Sequence, residues 1–339
     1  MELQCVEFHC NVVSLVYPIM KFHLYNPLNF NDPVAYAVPG FILLIVAEFF
    51  LYYKKKHTTD KAFYKDAAAS LELGIGSTLI DLAMKAIAIG YLLWFYQFRI
   101  FTTLGPESSS DLLSWQWHKT HWYVWVLLFF LQDFIFYWYH RLAHEIRILW
   151  AAHVNHHSSE YMHYSTALRQ SWLELLFKDA FYIPLAIIGF HPIMIITMHQ
   201  FNLIYQFLPH TESVKRLPKW FEFFFNAPAH HRVHHSSEVR YLDKNYAGIL
   251  IIWDRIFGTF KEEDENAFPI YGITTNIHTN NLFKITFHEV LNIWNDVKKA
   301  PTLRTKLNYI IQSPGWSHTG NDQRAKTLQR NLAENSFNQ

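Results

Sequence analysis

Nine histidines fall in three tight clusters, and their type and spacing define what chemistry the chain can do. They read His140-x3-His144, His153-x2-His156-His157 and His230-His231-x2-His234-His235. On a helix, residues at i, i+3 and i+4 share one face. His140 and His144 form such a pair, His153, His156 and His157 such a set, and His231, His234 and His235 repeat it. Each cluster can aim two or three imidazoles at one point. Together they are too many for one tetrahedral zinc and suit two metals of higher coordination number. Imidazole favours Zn, Cu, Fe and Ni over Mg or Ca. The expectation is a nitrogen-rich site for two irons with positions open to O2, and so an enzyme. A closed zinc site and a run of surface histidines are the alternatives. Apolar residues interleaved in the clusters argue against the surface. His230 is adjacent to His231 and points about 100° away from it on a helix, yet it is i, i+4 to His234, so it stays in the candidate set.

Two carboxylates are catalytic candidates. Glu145 directly follows His144 and could orient an imidazole or handle protons; the plainer reading is a capping or ion-paired surface residue. Asp133 lies seven residues before His140 on the same helical face. At membrane depth it could hold an imidazole N–H; the plainer reading is a buried acid paired with another helix.

The elements that must position these groups are membrane helices. Residues 34–53 are apolar with one charge, Glu48, and are long enough to span a bilayer. Lys54, Lys55, Lys56, Lys61 and Lys65 follow, which makes that loop cytoplasmic by the positive-inside rule. A second apolar segment covers about 71–101, interrupted by Asp81 and Lys85, which can neutralise each other. Gly105-Pro106 and Ser108-Ser109-Ser110 mark a loop. A third span covers 122–139 and delivers the chain to His140 on the cytoplasmic side. Segments 172–190 and 192–208 meet at Gly189 and Pro192 and read as a helical hairpin, which returns the third cluster to the same face. A re-entrant pair is the alternative, because Glu174, Lys178 and Asp179 lie in one arm and His199, Asn202 and Gln206 in the other. His199 and Gln206 are read as structural, and the isolated His163, His191, His278, His288 and His318 as non-ligands.

The expected fold is all-α: an integral membrane helical bundle of about three spans plus a hairpin, with a cytosolic histidine-rich di-metal domain. Its parts are an N-terminal segment (1–33), transmembrane helices (34–139), a histidine-box catalytic domain (140–260, including the hairpin at about 172–208) and a C-terminal cytosolic region (261–339). Residues 245–260 are expected to pack against the metal domain. The polar tail after about Asn321 is expected to be disordered.

Composition agrees with a membrane protein. Of 339 residues, 51% are apolar and 18% aromatic against 17% charged, and the net charge of +1 gives no reason to expect nucleic acid as a partner. The mean hydropathy of -0.01 looks soluble only because Tyr, Trp and His lower it, and Tyr and Trp favour membrane interfaces. Cys5 and Cys10 are too few for a disulfide framework or a cysteine metal site. Residues 1–19 carry Glu2 and Glu7 and no basic start, so they do not read as a signal peptide. Met20 is a candidate second start, which an intact mass beginning at Met1 would rule out.

The boxes His140-Arg141-Leu142-Ala143-His144, His153-Val154-Asn155-His156-His157 and His231-Arg232-Val233-His234-His235 resemble those of the fatty acid hydroxylase/sterol desaturase superfamily. The resemblance covers roughly residues 36–290. Narrower strings resemble its alkylglycerol monooxygenase branch: Ser165-Thr166-Ala167-Leu168-Arg169-Gln170, His210-Thr211-Glu212, Asn226-Ala227-Pro228-Ala229-His230 and Asp243-Lys244-Asn245-Tyr246-Ala247-Gly248. That resemblance implies a membrane enzyme of the bacterial inner membrane or endoplasmic reticulum, its catalytic face cytoplasmic. It implies two iron ions, O2, and tetrahydrobiopterin or another reductant. It also implies a lipid substrate, with an electron-donor protein as the source of reducing power in the sterol and fatty acid relatives. It places a further ligand near His210. The favoured reaction is hydroxylation of the ether-bearing carbon of an alkylglycerol, which then falls apart to glycerol and a fatty aldehyde. The alternatives are a sterol or fatty acyl hydroxylase or desaturase, and, from other classes, a membrane zinc hydrolase or a metal transporter. Eukaryotic members of the branch carry further C-terminal membrane segments than this sequence contains.

Overall fold

The structure, a computed structural model, describes residues 33–56, 60–104 and 120–337. The start region with Cys5, Cys10 and Met20, and the loop with Gly105-Pro106 and Ser108 to Ser110, lie outside the described residues. Twelve α-helices form the described fold: α1 Pro33–Lys56, α2 Lys61–Tyr96, α3 Trp122–Glu145, α4 Arg147–His157, α5 Ile183–Ile188, α6 Pro192–Phe207, α7 Lys219–Phe224, α8 Pro228–His234, α9 Ile252–Ile256, α10 Leu282–Lys299, α11 Leu303–Ile311 and α12 Ala325–Phe337. Among the described residues the β-structure amounts to two isolated bridges, Phe225 with Leu250 and Ser236 with Tyr271.

Among the described residues, three helices are long and apolar enough to cross a membrane: Pro33–Tyr52 within α1, then α2 and α3. They turn Ile42, Leu43, Val46, Phe50, Ile75, Leu79 and Leu82 outward, as helices that face lipid do. The second begins well before the apolar segment at 71. Asp60 caps it, its Oδ1 accepting from the Ala62 and Phe63 N–H groups at 3.0 and 3.3 Å, and a satisfied N-terminus lets the polar residues 61–66 join the helix. Asp81 and Lys85 pair at 3.0 Å. Ile146 is extended and ends α3; α4 then packs back against α3.

The expected hairpin forms only in its second arm. Residues 174–182 are short 3-10 turns leading to α5, and only α6 is a long helix. Neither arm is among the candidate spans. Gly189 explains the corner: its φ is 131°, and a Cβ there would lie 2.1 Å from the Phe101 carbonyl oxygen, so only glycine lets this backbone pass. Ile100 and Phe101 donate to the carbonyls of Ile187 and Ile188 at 2.8 and 3.0 Å, tying the end of α2 to the hairpin. A core of Leu92, Leu128, Leu185, Phe190, Met194 and Ile195 joins α2, α3, α5 and α6.

The C-terminal tail is a correction. Instead of being disordered, 325–337 forms α12. Asp322 pairs with Arg324 and accepts from Thr327 before the first turn, and the Gln329 amide donates to the carbonyls of Val239 and Leu242 at 3.1 and 2.8 Å. Polar composition hid the helix because its docking uses hydrogen bonds rather than an apolar stripe.

Candidate metal centre

The nitrogen atoms of nine buried histidines converge in two adjacent groups. The first holds His140 and His144 of α3, His153 and His157 of α4, and His234 of α8. The second holds His156 of α4, His210 after α6, His231 of α8, and His235 at the end of α8. Within each group the candidate ligand atoms lie within 4.8 Å of one another. The groups touch: the His157 and His235 rings stack with centroids 4.4 Å apart.

This differs from the expectation that each cluster aims at one point. The second and third clusters are split between the groups. His153 and His157 share a helical face, while His156 points about 100° from His157 and joins the other group. On α8, His231 and His235 share a face and His234 turns to the first group. One short helix therefore serves two centres, which is what the x2 spacing followed by a doublet makes possible.

Backbone carbonyls fix the rings. His140 Nδ1 lies 2.7 Å from the Tyr246 oxygen, His210 Nδ1 2.7 Å from the Gln206 oxygen, and His234 Nδ1 2.9 Å from the Lys244 oxygen. A carbonyl can only accept, so each Nδ1 carries the proton and each Nε2 presents a lone pair inward. Lone pairs then face one another. His140 Nε2 approaches His153 Nε2 at 3.0 Å, and His210 Nε2 approaches both His156 Nε2 at 3.0 Å and His231 Nε2 at 2.8 Å. Buried His144 Nε2, His153 Nδ1, His156 Nδ1, His231 Nδ1 and His234 Nε2 have no hydrogen-bond partner. Burial pushes the pKa of His153, His156, His157, His231, His234 and His235 well below the usual imidazole range, and that of His210 down to about 4. These rings are neutral at physiological pH. A dense set of buried, neutral, inward-facing lone pairs fits metal cations.

A strap after α8 that runs into the first turn of α9, residues 243–254, supplies much of this support. Asp243 and Asn245 both have φ of 57°, unusual for residues other than glycine. This twist directs the Lys244 carbonyl to His234, and Asp243 Oδ1 lies 3.6 Å from His144 Nδ1. Burial, with nearby Glu145 adding to it, pushes the Asp243 carboxyl up to about 7. Asp254 accepts from the Tyr246 and Ala247 N–H groups, both at 2.8 Å, so a buried carboxylate holds the residue whose carbonyl holds His140. Asn245 donates to the His230 and Lys261 carbonyls at 3.0 and 2.7 Å. Residue reasoning missed Asp243, Asn245 and Asp254; their strings were visible, but which atoms they hold depends on the tertiary path.

The remaining candidates are placed elsewhere. His230 lies outside both groups: its Nδ1 accepts from the Ala227 N–H at 3.3 Å and its ring packs on Phe260. The i, i+4 relation to His234 fails to recruit it because Nδ1 is committed to the first turn of α8. Asp133 meets no imidazole. It accepts from the N–H groups of Ile249 and Leu250, the Trp253 indole and the Asn202 amide, at 2.9 to 3.0 Å, and so ties the strap to α3 and α6. Gly248 sits in that contact, where a Cβ would come 2.7 Å from the Phe136 ring. Glu145 pairs with Arg141 at 3.2 Å and with Lys326 at 3.9 Å, and touches no histidine. His199 bonds with Gln132 and Tyr182 inside the bundle.

A cavity of about 550 Å³ reaches His144, His157 and His234. Its other walls include Asp243, residues 272–277, and His288 and Asn292 of α10. It opens on the first group from the side built by the C-terminal elements.

Comparison with known proteins agrees with this geometry. Residues 125–259 match the family described as fatty acid hydroxylase. The chain is 39% identical over 287 residues to an alkylglycerol monooxygenase of Homo sapiens, covering 84% of this chain and 60% of that one. It is 40% identical over 284 residues to an alkylglycerol monooxygenase of Danio rerio, covering 83% and 59%. An ornithine lipid hydroxylase of Rhizobium tropici is 31% identical over 153 residues, 45% of this chain and 46% of that protein. The chain thus spans about 60% of the length of the alkylglycerol monooxygenases it matches. No solved structure matches.

Proposed function

We propose that the chain, whose residues 125–259 match the fatty acid hydroxylase family, is a membrane-bound di-iron lipid monooxygenase whose substrate is an ether lipid of the alkylglycerol class. The observation that carries this reading is the pair of buried, all-imidazole groups, five and four histidines, side by side at the end of a membrane span. Similarity to alkylglycerol monooxygenases over more than four-fifths of this chain supports the substrate class.

Two iron ions held by the nine imidazoles would supply O2 activation and hydroxylation of a C–H bond. The chain's own residues do the rest. The carbonyls of Tyr246, Gln206 and Lys244 keep three rings in one tautomer and orientation. Burial of all nine rings excludes bulk water from the reacting carbon. One oxygen atom of O2 is inserted at the ether-bearing carbon, and the other leaves as water with two electrons and two protons from a reductant. The hemiacetal so formed breaks its C–O bond to give glycerol and a fatty aldehyde. Tetrahydrobiopterin is the favoured reductant, with a donor protein as the alternative. The cavity beside His144 and Asp243 gives a reductant a route to the first group. Asp254 and Asp243 act as positioning residues for the rings. The site faces the cytoplasm, on the side of Lys54, Lys61 and Lys65.

A second reading, hydroxylation of an acyl lipid by the same centre, is favoured by the match to the ornithine lipid hydroxylase. The deciding experiment supplies the purified protein with an alkylglycerol and a tetrahydropterin under air and under nitrogen. Fatty aldehyde released only in air supports the proposal. Iron and oxygen uptake without aldehyde moves the substrate to acyl lipids or sterols. Zinc with activity indifferent to nitrogen overturns it in favour of a hydrolase.

A further inference from the structure

The helix α10 buries one side and leaves a large apolar stripe uncovered. Its inward side carries Ile285, Thr286 and Ile293 together with charged groups. Arg147 of α4 binds Glu289 and Asp296 there, each at 2.7 Å, and the Asn155 amide donates to Thr286 at 3.4 Å. His288 and Asn292 on the same side line the cavity. The apolar face is turned outward: Phe283, Leu291 and Trp294 are 66%, 57% and 59% exposed. Phe287, Val290 and Val297 lie half-buried in the same stripe. α11 continues it with Leu303, Leu307 and Ile311, spaced one helical turn apart and all exposed. Among the described residues nothing covers this surface. An apolar patch of this extent marks an interaction site.

We infer that the outward face of α10 and α11 is a membrane-docking surface that rests in the interfacial layer of the same bilayer the three spans cross. Three observations choose lipid over other occupants. The first is continuity with the spans. Ile285 packs with Ala69 and Leu73 of α2, Phe283 stacks edge-on against Trp172 at 5.6 Å, and the Trp172 indole donates to the Leu73 carbonyl at 3.3 Å. α10 therefore starts against the second span near its Lys61 end, where that helix leaves the bilayer. The second is charge. The cations Lys284, Lys298, Lys299, Arg304 and Lys306 flank the stripe, while the acids of the two helices, Glu289 and Asp296, are drawn inward to Arg147. An apolar stripe with a cationic rim suits anionic headgroups. Placed against a second copy in two-fold symmetry, the same rim would face itself and repel. The third is the aromatic chemistry of the stripe. Trp294, with the Lys298 ammonium 5.6 Å above its ring, presents an apolar body and a polar edge, the arrangement favoured at the headgroup level. The inference rests on the membrane spans and does not depend on which lipid is oxidised.

The consequence is geometric. Arg147 and Asn155 link the docking helix to α4, which carries His153, His156 and His157, so a bilayer contact on one side of α10 is coupled to the histidine groups on the other. The test uses full-length protein in nanodiscs of phosphatidylcholine and phosphatidylglycerol. On a Cys5→Ser, Cys10→Ser background, an environment-sensitive fluorophore is attached at Leu291→Cys, Trp294→Cys or Leu307→Cys, with Glu262→Cys in an exposed charged turn as the aqueous control. The expected result is that nitroxide-labelled phospholipid quenches the three helix positions several-fold more than the control, while iodide quenches only the control strongly. Iodide quenching at all four positions, with no effect of labelled lipid, overturns the inference because the face is then in water. Shielding of the three positions from both quenchers also overturns it and assigns the face to a protein partner, a second copy or another part of this chain.

Discussion

At the residue scale, a histidine's place in this centre depends on what its second nitrogen does. His140, His210 and His234 donate Nδ1–H to carbonyls and keep Nε2 free. His230 commits Nδ1 to a backbone N–H and leaves the group. The two neighbours His230 and His231 should therefore behave differently. His231→Ala removes one of four nitrogens from the second group, and metal content should fall toward one ion per chain with loss of nearly all oxygenase activity. His230→Ala should keep both ions and cost only about 1–3 kcal/mol in stability, the usual cost of leaving a buried polar group unpaired. Metal analysis with a thermal melt separates the two. Asp133 makes a similar contrast. Its carboxylate receives four donors and no imidazole, so Asp133→Asn should lower stability by about 1.5–3 kcal/mol before it changes the reaction. A melting shift with kcat per bound metal unchanged is the expected outcome.

At the element scale, the centre is a product of three short pieces of backbone. α4 and α8 each divide their histidines between two groups, and the 243–254 strap fixes the rings from outside. The strap should matter as much as a ligand. Asp254→Asn replaces one acceptor of the Tyr246 and Ala247 N–H groups with a donor, and through Tyr246 it loosens His140. Loss of an outer-shell partner of this kind weakens metal binding by about 10–100-fold, and equilibrium dialysis should show that weakening for one ion of the pair. The histidines themselves were legible in the sequence, because helical spacing alone brings i, i+3 and i+4 residues together. Their division between two centres was not, since it depends on how α4 and α8 face each other across the strap. Asp243 and Asp254 were hidden for the same reason: one carboxylate approaches His144 and the other holds the Tyr246 and Ala247 N–H groups, and a sequence does not show which atoms meet.

At the scale of the whole molecule, the three spans were legible from length and apolarity, with only their ends displaced by caps such as Asp60. The hairpin and the tail were harder to read. Apolar runs at 172–190 suggested a continuous helix, yet buried polar contacts broke it; Tyr139 donates to Glu174 at 2.8 Å and Gln132 to Tyr182 at 3.2 Å. The tail suggested disorder and forms a helix that docks on residues 239–242. Glu174, Lys178 and Asp179 in the first arm already pointed to the re-entrant alternative; the tail was misread because composition reports burial of apolar surface and is blind to polar docking. The arrangement that results places the histidine groups where α3 ends, between the membrane spans and a cavity of about 550 Å³.

The most direct test of this account is the number of metal ions per folded chain in protein purified in detergent after growth in iron-sufficient medium, measured alongside a His231→Ala variant and a His153→Ala variant. Two irons per chain, falling toward one when either group loses a histidine, are predicted. One metal ion in the unaltered protein, or two that survive both substitutions, would contradict the division of nine histidines into a five-membered and a four-membered site.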